Sequence, residues 1–480
     1  MKTISRSQLL LAAGMATFTL AASAYACGGY DLLTLDHFAT EAVSINPAVS
    51  TAAIRHLRSA GPAGLDALFR VHQGEIDLAR LANLRVPRPA DESWNRLKAA
   101  LEAVAQQRDC EASRLFWYTN LADAEAAAAV SGKPILSLRL LGNLNEEYSC
   151  ANSRFFRTTL YANAEVSSYL REHFVLHWKS VRPIPRITVD FGDGRRIERT
   201  ITGNSIHYVL DSKGRVVDGL PGLYGPRAFL KALQQAESVA GKSGGLNDDN
   251  RNSLLAEYHN ASRGAIQAAW RRDLSIVQNV SALPSGFGGN ERSVPQNIPK
   301  ATFITARAPS AAEAGRVAAS KTAIERPLLQ PGRPAGRPGS ERIENTIGDE
   351  LWMKIAALHA EEAVLDDSSR TLIRSKSPPA QLAARVAEGK RLVENPLLRS
   401  LRNLEHSISE DTVRNEYTLH FRLHEWLAQE PSPDLNKLNS RVYAEMFLTP
   451  DSDPWLGLVP ADTYSALDND GLVVSATAPK

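Results

Sequence analysis

The chain has 480 residues, 43% hydrophobic and 22% charged, an ordinary soluble composition with length for about three domains at roughly 150 residues each. Lys and Arg total 55 against 53 Asp and Glu, and the counts become equal without Lys2 and Arg6, which fall in a segment read below as cleaved. This balance excludes a nucleic-acid binder held by a basic face; three cysteines exclude a disulfide-stapled scaffold, and no apolar run after residue 26 approaches the ~20 residues that make an integral membrane span.

Residues 1–26 combine the positive Lys2 and Arg6, an apolar stretch from Leu9 to Ala22, and small residues at Ala24 and Ala26, the layout of a secretory signal peptide. Cleavage after Ala26 places Cys27 at the new N-terminus. A lipid anchor at Cys27 is the alternative, but Ala24 and Tyr25 stand where lipid modification prefers a large aliphatic and a small residue, so ordinary cleavage is expected. Either way the chain is expected to be exported, periplasmic or extracellular.

Residues 27–112 read as a helical N-terminal region. Ile54, Leu57, Leu65, Leu68 and Phe69 recur at helical spacing around the Gly61-Pro62 step, and Trp94, Leu97, Leu101 and Val104 form a second pattern ending near Cys110. Residues 113–238 alternate strand with helix. Leu115 to Tyr118 is a short strand, Leu121 to Val130 an Ala-rich helix stopped by Gly132 and Pro134, and Ile135 to Leu141 a buried strand. Ala164 to His173 is helical and Phe174 to Val181 a strand. Gly192-Asp193-Gly194 and Ser212-Lys213-Gly214 each close a hairpin, and Pro226 opens a helix running to Glu237.

Residues 239–345 hold one amphipathic helix, Asp248 to Leu274, then a Ser-, Ala-, Pro- and Gly-rich stretch in which Pro327 to Ser340 reads as an extended linker. Residues 346–480 read as a helical C-terminal domain through about residue 447, followed by an irregular tail with Trp455 and Leu456 as a docking point.

The order of elements over 113–238 resembles the thioredoxin-like superfamily, in particular the thioredoxin-related domains of exported bacterial proteins. Ser131-Gly132-Lys133-Pro134-Ile135-Leu136 is similar to the family's Lys-Pro approach to its central strand, and Cys150-Ala151-Asn152-Ser153 falls where the family carries Cys-x-x-Cys. The resemblance implies an α/β thioredoxin-like domain flanked by mainly α-helical N- and C-terminal regions. Three departures accompany it. Ser153 replaces the second cysteine, Ser205 stands near the place of the family's cis-proline, and Tyr148-Ser149 replace its Trp-small pair.

The resemblance places Cys150 at a helix N-terminus, where backbone N–H groups and the dipole favour a thiolate; Arg154 and Arg157 would add to this, and Glu146 and Glu147 oppose it. With Ser153 the motif cannot close its own disulfide, so Cys150 and Ser153 imply at most a one-cysteine route acting on protein thiols or disulfides, with Cys27 or Cys110 as the second thiol. The other reading makes Cys150 structural, or ties it to Cys110. No Ser-His-Asp order, phosphate loop or cofactor motif is present, so no cofactor is expected.

In the C-terminal region, Glu416, His420 and His424 repeat at i, i+4, i+8 within the apolar arc of a helix over 413–429. Their place implies burial, neutral imidazoles, and partners in Glu362 or His359 on a helix expected from Glu350 to Asp366. They form either a hydrogen-bonded network or a metal site. Two functions follow for the whole chain: a cell-envelope binding or scaffold protein with a degenerate thioredoxin-like domain, or a thiol-disulfide reductase or isomerase acting through Cys150.

Overall fold

Residue periodicity and turn chemistry in the middle of the chain convert directly into a sheet. The computed structural model describes residues 31–83, 91–200, 203–281, 349–376 and 390–449. The signal segment, Cys27, the linker around 327–340 and the tail with Trp455 and Leu456 lie outside them.

Helices α1 (Leu32–Glu41), α2 (Pro47–Ser59), α3 (Pro62–Val71), α4 (Gln73–Asn83) and α5 (Glu92–Ala105) make up the N-terminal region. Asp31, Asn46 and Asp91 cap α1, α2 and α5 by accepting backbone N–H bonds. These helices enclose a core of their own, with Leu57, Leu65, Leu68, Leu97, Leu101, Val104 and Cys110 buried together. Arg58 ties this bundle to the sheet through the carbonyls of Val104 (2.9 Å) and Trp117 (2.5 Å).

The sheet consists of β1 (Trp117–Tyr118), β2 (Ile135–Leu141), β3 (Val175–Arg182), β6 (Ser205–Leu210) and β7 (Val216–Pro221), in the order β1-β3-β2-β6-β7. β1, β3 and β2 are parallel, while β6 and β7 run antiparallel. All seven residues of β2 are buried, as its central place and apolar run require. α6 (Leu121–Ser131) is capped by Asn120 and ends on Gly132 at φ 72°. α7 (Ala151–Phe155) widens into a π turn over Phe156–Leu160, and α8 (Ala164–His173) follows, capped by Asn163. α9 (Pro226–Ser243) lies after β7, and a separate hairpin, β4 (Arg186–Asp190) and β5 (Arg196–Thr200), is inserted between β3 and β6.

α10 (Asp248–Ser281) runs past its expected end at Leu274 because Val277 is buried with Trp352, Ile355 and Val413. α11 stops at Leu358 (Asp349–Leu358), short of the expected Asp366. Asp366 instead caps a new helix, α12 (Asp367–Ser375), by accepting the Ser369 N–H at 2.9 Å, and Glu362 falls on an intervening 3-10 turn, Ala360–Ala363. α13 (Lys390–Arg414) passes through a π turn at Asn415–His420 into α14 (Phe421–Gln429); α15 (Leu435–Arg441) and a π turn at Val442–Met446 end the described chain.

These C-terminal helices share the hydrophobic core of the sheet, with Leu423, Trp426, Leu427, Tyr443 and Phe447 buried beside Tyr208, Val217 and Leu220. Two glycines permit the approach. Gly222 has φ 89° and a Cβ there would meet the Asn415 side chain at 2.5 Å; a Cβ on Gly225 would lie 2.2 Å from the Glu362 carbonyl oxygen. The architecture is therefore a mixed α/β sheet flanked by helices, with the C-terminal helices packed into it.

Candidate functional site

Two places collect chemically capable side chains. At the first, the chain leaves β2, loops through 142–149 and enters α7 with Cys150 as N-cap residue. The Cys150 Sγ accepts the Ser153 N–H at 3.4 Å, and the Ser153 hydroxyl donates to the Cys150 carbonyl at 2.8 Å. So Cys150 and Ser153 meet at a loop-to-helix step. The sulfur is nonetheless fully buried, packed in one core with Phe156, Tyr161 and Tyr443. Burial pushes its thiol up, against the pull of the Ser153 hydroxyl and N–H, the Leu141 backbone and Arg154. Arg157 does not assist: its guanidinium donates to the carbonyls of Leu144 (3.3 Å), Glu146 (2.6 Å) and Glu147 (3.4 Å) and holds the loop down.

A cover lies over this end of the sheet. Tyr443 donates to the Asn204 carbonyl at 3.1 Å, Arg182 to the Thr449 carbonyl at 2.6 Å, and Asn204 Nδ2 to the Thr449 hydroxyl at 3.3 Å. Ser205, in the place the resemblance gives to a proline, is buried beneath it at the start of β6. Cys110 and Cys150 are both free thiols in separate cores, so the tie between them is not made; burial raises the Cys110 thiol as well.

The second place lies between β7, α10 and α14. Asp218 on β7, His259 on α10 and His424 on α14 are all buried, and one ligand atom from each lies within 4.8 Å of the others. His259 Nδ1 and His424 Nδ1 are 2.8 Å apart, so one donates to the other. His424 Nδ1 is 3.8 Å and His420 Nε2 3.7 Å from Asp218 Oδ1. The far side of His420 is fixed by Glu416, whose Oε2 lies 2.8 Å from Nδ1. Asp218 is held from outside by the Tyr258 hydroxyl at 2.5 Å and the Gly219 N–H at 2.8 Å.

Glu416, His420 and His424 thus remain together, as the spacing predicts, but the expectation of uniformly neutral imidazoles is corrected. Burial works against charge on His420, yet Glu416 and Asp218 outweigh it and raise the ring to about 10. Burial and the neighbouring His420 depress His424 well below its ordinary value, and burial brings His259 down to about 4. Burial acts to raise Asp218, but the rings of His424, His420 and His259 hold its carboxyl well below the usual carboxylate range. The expected partners are corrected too. His359 Nε2 lies 2.8 Å from Asp273, its Nδ1 lies 3.3 Å from Glu362, and Tyr417 also bonds Asp273, so these residues form a separate station. Asp218 and His259 carry no local signal in the sequence; only the pairing of β7 with two distant helices brings them in.

A further acidic trio, Glu102, Asp109 and Glu111, is filled by its own cation. Lys98 Nζ lies 2.9 Å from Glu111 and 3.1 Å from Asp109, and Lys376 Nζ lies 2.9 Å from Asp109. Among the described residues no helix is long and apolar enough to cross a membrane. The chain matches no protein-family model, and neither a curated protein nor a solved structure matches it in comparison.

Proposed function

We propose that the chain is an exported cell-envelope protein with a binding or scaffold role, built on a degenerate thioredoxin-like domain whose cysteine serves packing, not redox chemistry. The likeness draws support from the strand order β1-β3-β2-β6-β7, its parallel and antiparallel directions, and Cys150 at the turn after β2. Export rests on the sequence pattern of residues 1–26.

The observation that carries the non-catalytic reading is the complete burial of Cys150, in the core that it shares with Tyr443 and Tyr161. A nucleophilic thiol must be ionised and reachable, and burial works against both. A fold alone carries no activity, so the site decides.

The test is alkylation of the folded mature protein at neutral pH, read residue by residue, beside an insulin-reduction assay. Cys150 and Cys110 are expected to label equally slowly until denaturant is added, with no reductase activity. Fast, selective alkylation of Cys150, with disulfide reductase activity lost in Cys150→Ser, would establish the thiol-disulfide reading instead. Cell fractionation checks the location.

A further inference from the structure

The cluster between β7, α10 and α14 has a composition that packing alone does not require. A buried carboxylate faces three imidazoles, drawn from elements far apart in the chain, at a position where apolar residues would pack with less desolvation. One of its inward-facing ring nitrogens, His420 Nε2, is buried without a hydrogen-bond partner among the described residues, 3.7 Å from Asp218 Oδ1. A closed polar network would not leave it open.

We infer that Asp218, His259, His424 and His420 form a binding site for a single divalent transition-metal ion, zinc being the best match, with Glu416 and Tyr258 as positioning residues.

The geometry supports this in three ways. Ligand atoms each ~2.0–2.1 Å from a tetrahedral zinc lie about 3.3–3.4 Å apart. The His259–His424 and His424–Asp218 separations, 2.8 Å and 3.8 Å, straddle that value, so small side-chain shifts bring Asp218, His259 and His424 into a coordination shell, with His420 Nε2, 3.7 Å from the same Asp218 oxygen, as the further donor. The outer contacts are those that metal ligands need. Glu416 accepts from His420 Nδ1 and so turns Nε2 toward Asp218, where an ion would displace its proton, and Tyr258 donates to Asp218 Oδ2 while Oδ1 faces His420 and His424. Finally, the donor set is chemically coherent. Three imidazoles and one carboxylate suit zinc or a neighbouring divalent ion, while calcium and magnesium prefer shells made of oxygen. Glu416 is only half-buried, whereas His420, His424 and Asp218 are enclosed.

Charge also fits. A dication offsets the Asp218 and Glu416 carboxylates that flank His420. The site does not depend on the state of Cys150, so it stands or falls separately from the scaffold reading. It differs from the acidic trio at Glu102, Asp109 and Glu111, where lysine ammonium groups already stand.

The experiment uses the mature full chain, stripped with chelator and titrated with zinc and with cobalt(II). One equivalent of zinc is expected to bind and to raise Tm by about 5 °C or more at saturation. Cobalt(II) should give the intense visible bands of a tetrahedral nitrogen and oxygen site. His259→Gln and His424→Gln, checked for folding by circular dichroism, should lose the cobalt bands and the Tm shift. Glu416→Gln should keep one site and bind zinc roughly 10- to 100-fold more weakly. The inference is overturned if the folded wild-type chain takes up no cobalt and its Tm ignores zinc. It is overturned equally if folded His259→Gln and His424→Gln bind as the wild type does, because the ion would then sit elsewhere. If both variants misfold, the wild-type titration and cobalt spectrum decide alone.

Discussion

Cys150 and Asp218 are both buried reactive groups at the sheet, and their surroundings are opposite. Cys150 makes its polar contacts inside its own turn, to Ser153 three residues on and to the Leu141 backbone, and is otherwise enclosed by aromatic and aliphatic side chains. Asp218 is met by groups from two other elements, including Tyr258 at a separation of 40 residues and His424 on the last long helix. A thiol can stay neutral when buried and so needs little from the rest of the chain. A carboxylate kept charged must be matched from every side, and the fold brings the matching groups from afar. The comparison separates a residue retained as packing from one around which tertiary structure is arranged.

The contrast breaks most directly at Asp218. Asp218→Ala removes the acid facing three buried rings, leaves His420 with Glu416 alone as counter-charge and strips the Tyr258 hydroxyl of its acceptor, so unfolding in urea with chelator present should show a loss of about 3–5 kcal/mol. A loss below ~1 kcal/mol would mean that the rings are satisfied without it. Tyr443→Ala attacks the other side of the comparison. Removing this fully enclosed ring should cost about 3 kcal/mol and speed Cys150 alkylation, while Cys110, in the N-terminal core, keeps its slow rate. Equal acceleration of both thiols would indicate general loosening.

Gly225→Ala tests the seam that joins the two regions. Its Cβ would stand 2.2 Å from the Glu362 carbonyl, where backbone must move, and a cost of about 2 kcal/mol is expected in the same urea series. The His359 station supplies a pH test away from both sites. Hydrogen bonding to Glu362 outweighs burial and, with Asp273, raises His359 to about 9 from an ordinary 6.5. A raised folded-state value means that the stabilisation is fully present below about pH 6.5 and fades as pH climbs through 9. Wild type minus His359→Gln should therefore shrink by on the order of 1–2 kcal/mol between pH 6 and pH 9.5. A difference that stays constant would mean that the proton affinity of His359 does not change on folding.

Much of the sheet is legible in the sequence because its signals are local. The Ile135–Leu141 run, the Gly132-Pro134 stop and the glycine turns at 192–194 and 214 act within a few residues, and the strands fall where those signals place them. The C-terminal helices are harder to read. Asp366 looks like the end of an apolar pattern but serves as an N-cap, and the end of α10 depends on Trp352, about seventy residues further along the chain. The same division runs through the sites. Cys150 with Ser153, and Glu416 with His420 and His424, stand out by spacing, whereas Asp218 and His259 are one aspartate in a strand and one histidine on a helix until β7, α10 and α14 converge. Arg157 shows the limit from the other direction, since its nearness to Cys150 in sequence suggests electrostatic help that its carbonyl contacts do not give.

The smallest effect on stability, and a pointed test of the cover, belongs to Ser153→Cys. The change is close to isosteric, and the Ser153 hydroxyl makes one hydrogen bond, to the Cys150 carbonyl, so a cost of about 1 kcal/mol is expected. It restores two thiols at i and i+3 across the first turn of α7, the arrangement that the likeness implies can oxidise. Protein prepared reduced and then exposed to a small-molecule oxidant should nevertheless stay reduced while the cover is in place, because both positions are fully buried. Combined with Tyr443→Ala, the pair should oxidise and lose two hydrogens by mass. Rapid oxidation of Ser153→Cys alone would mean that the thiol is reachable in the folded chain, and the packing role assigned to Cys150 would fall. Failure of the double variant to oxidise, while still folded, would instead show that the turn lacks the geometry the likeness implies.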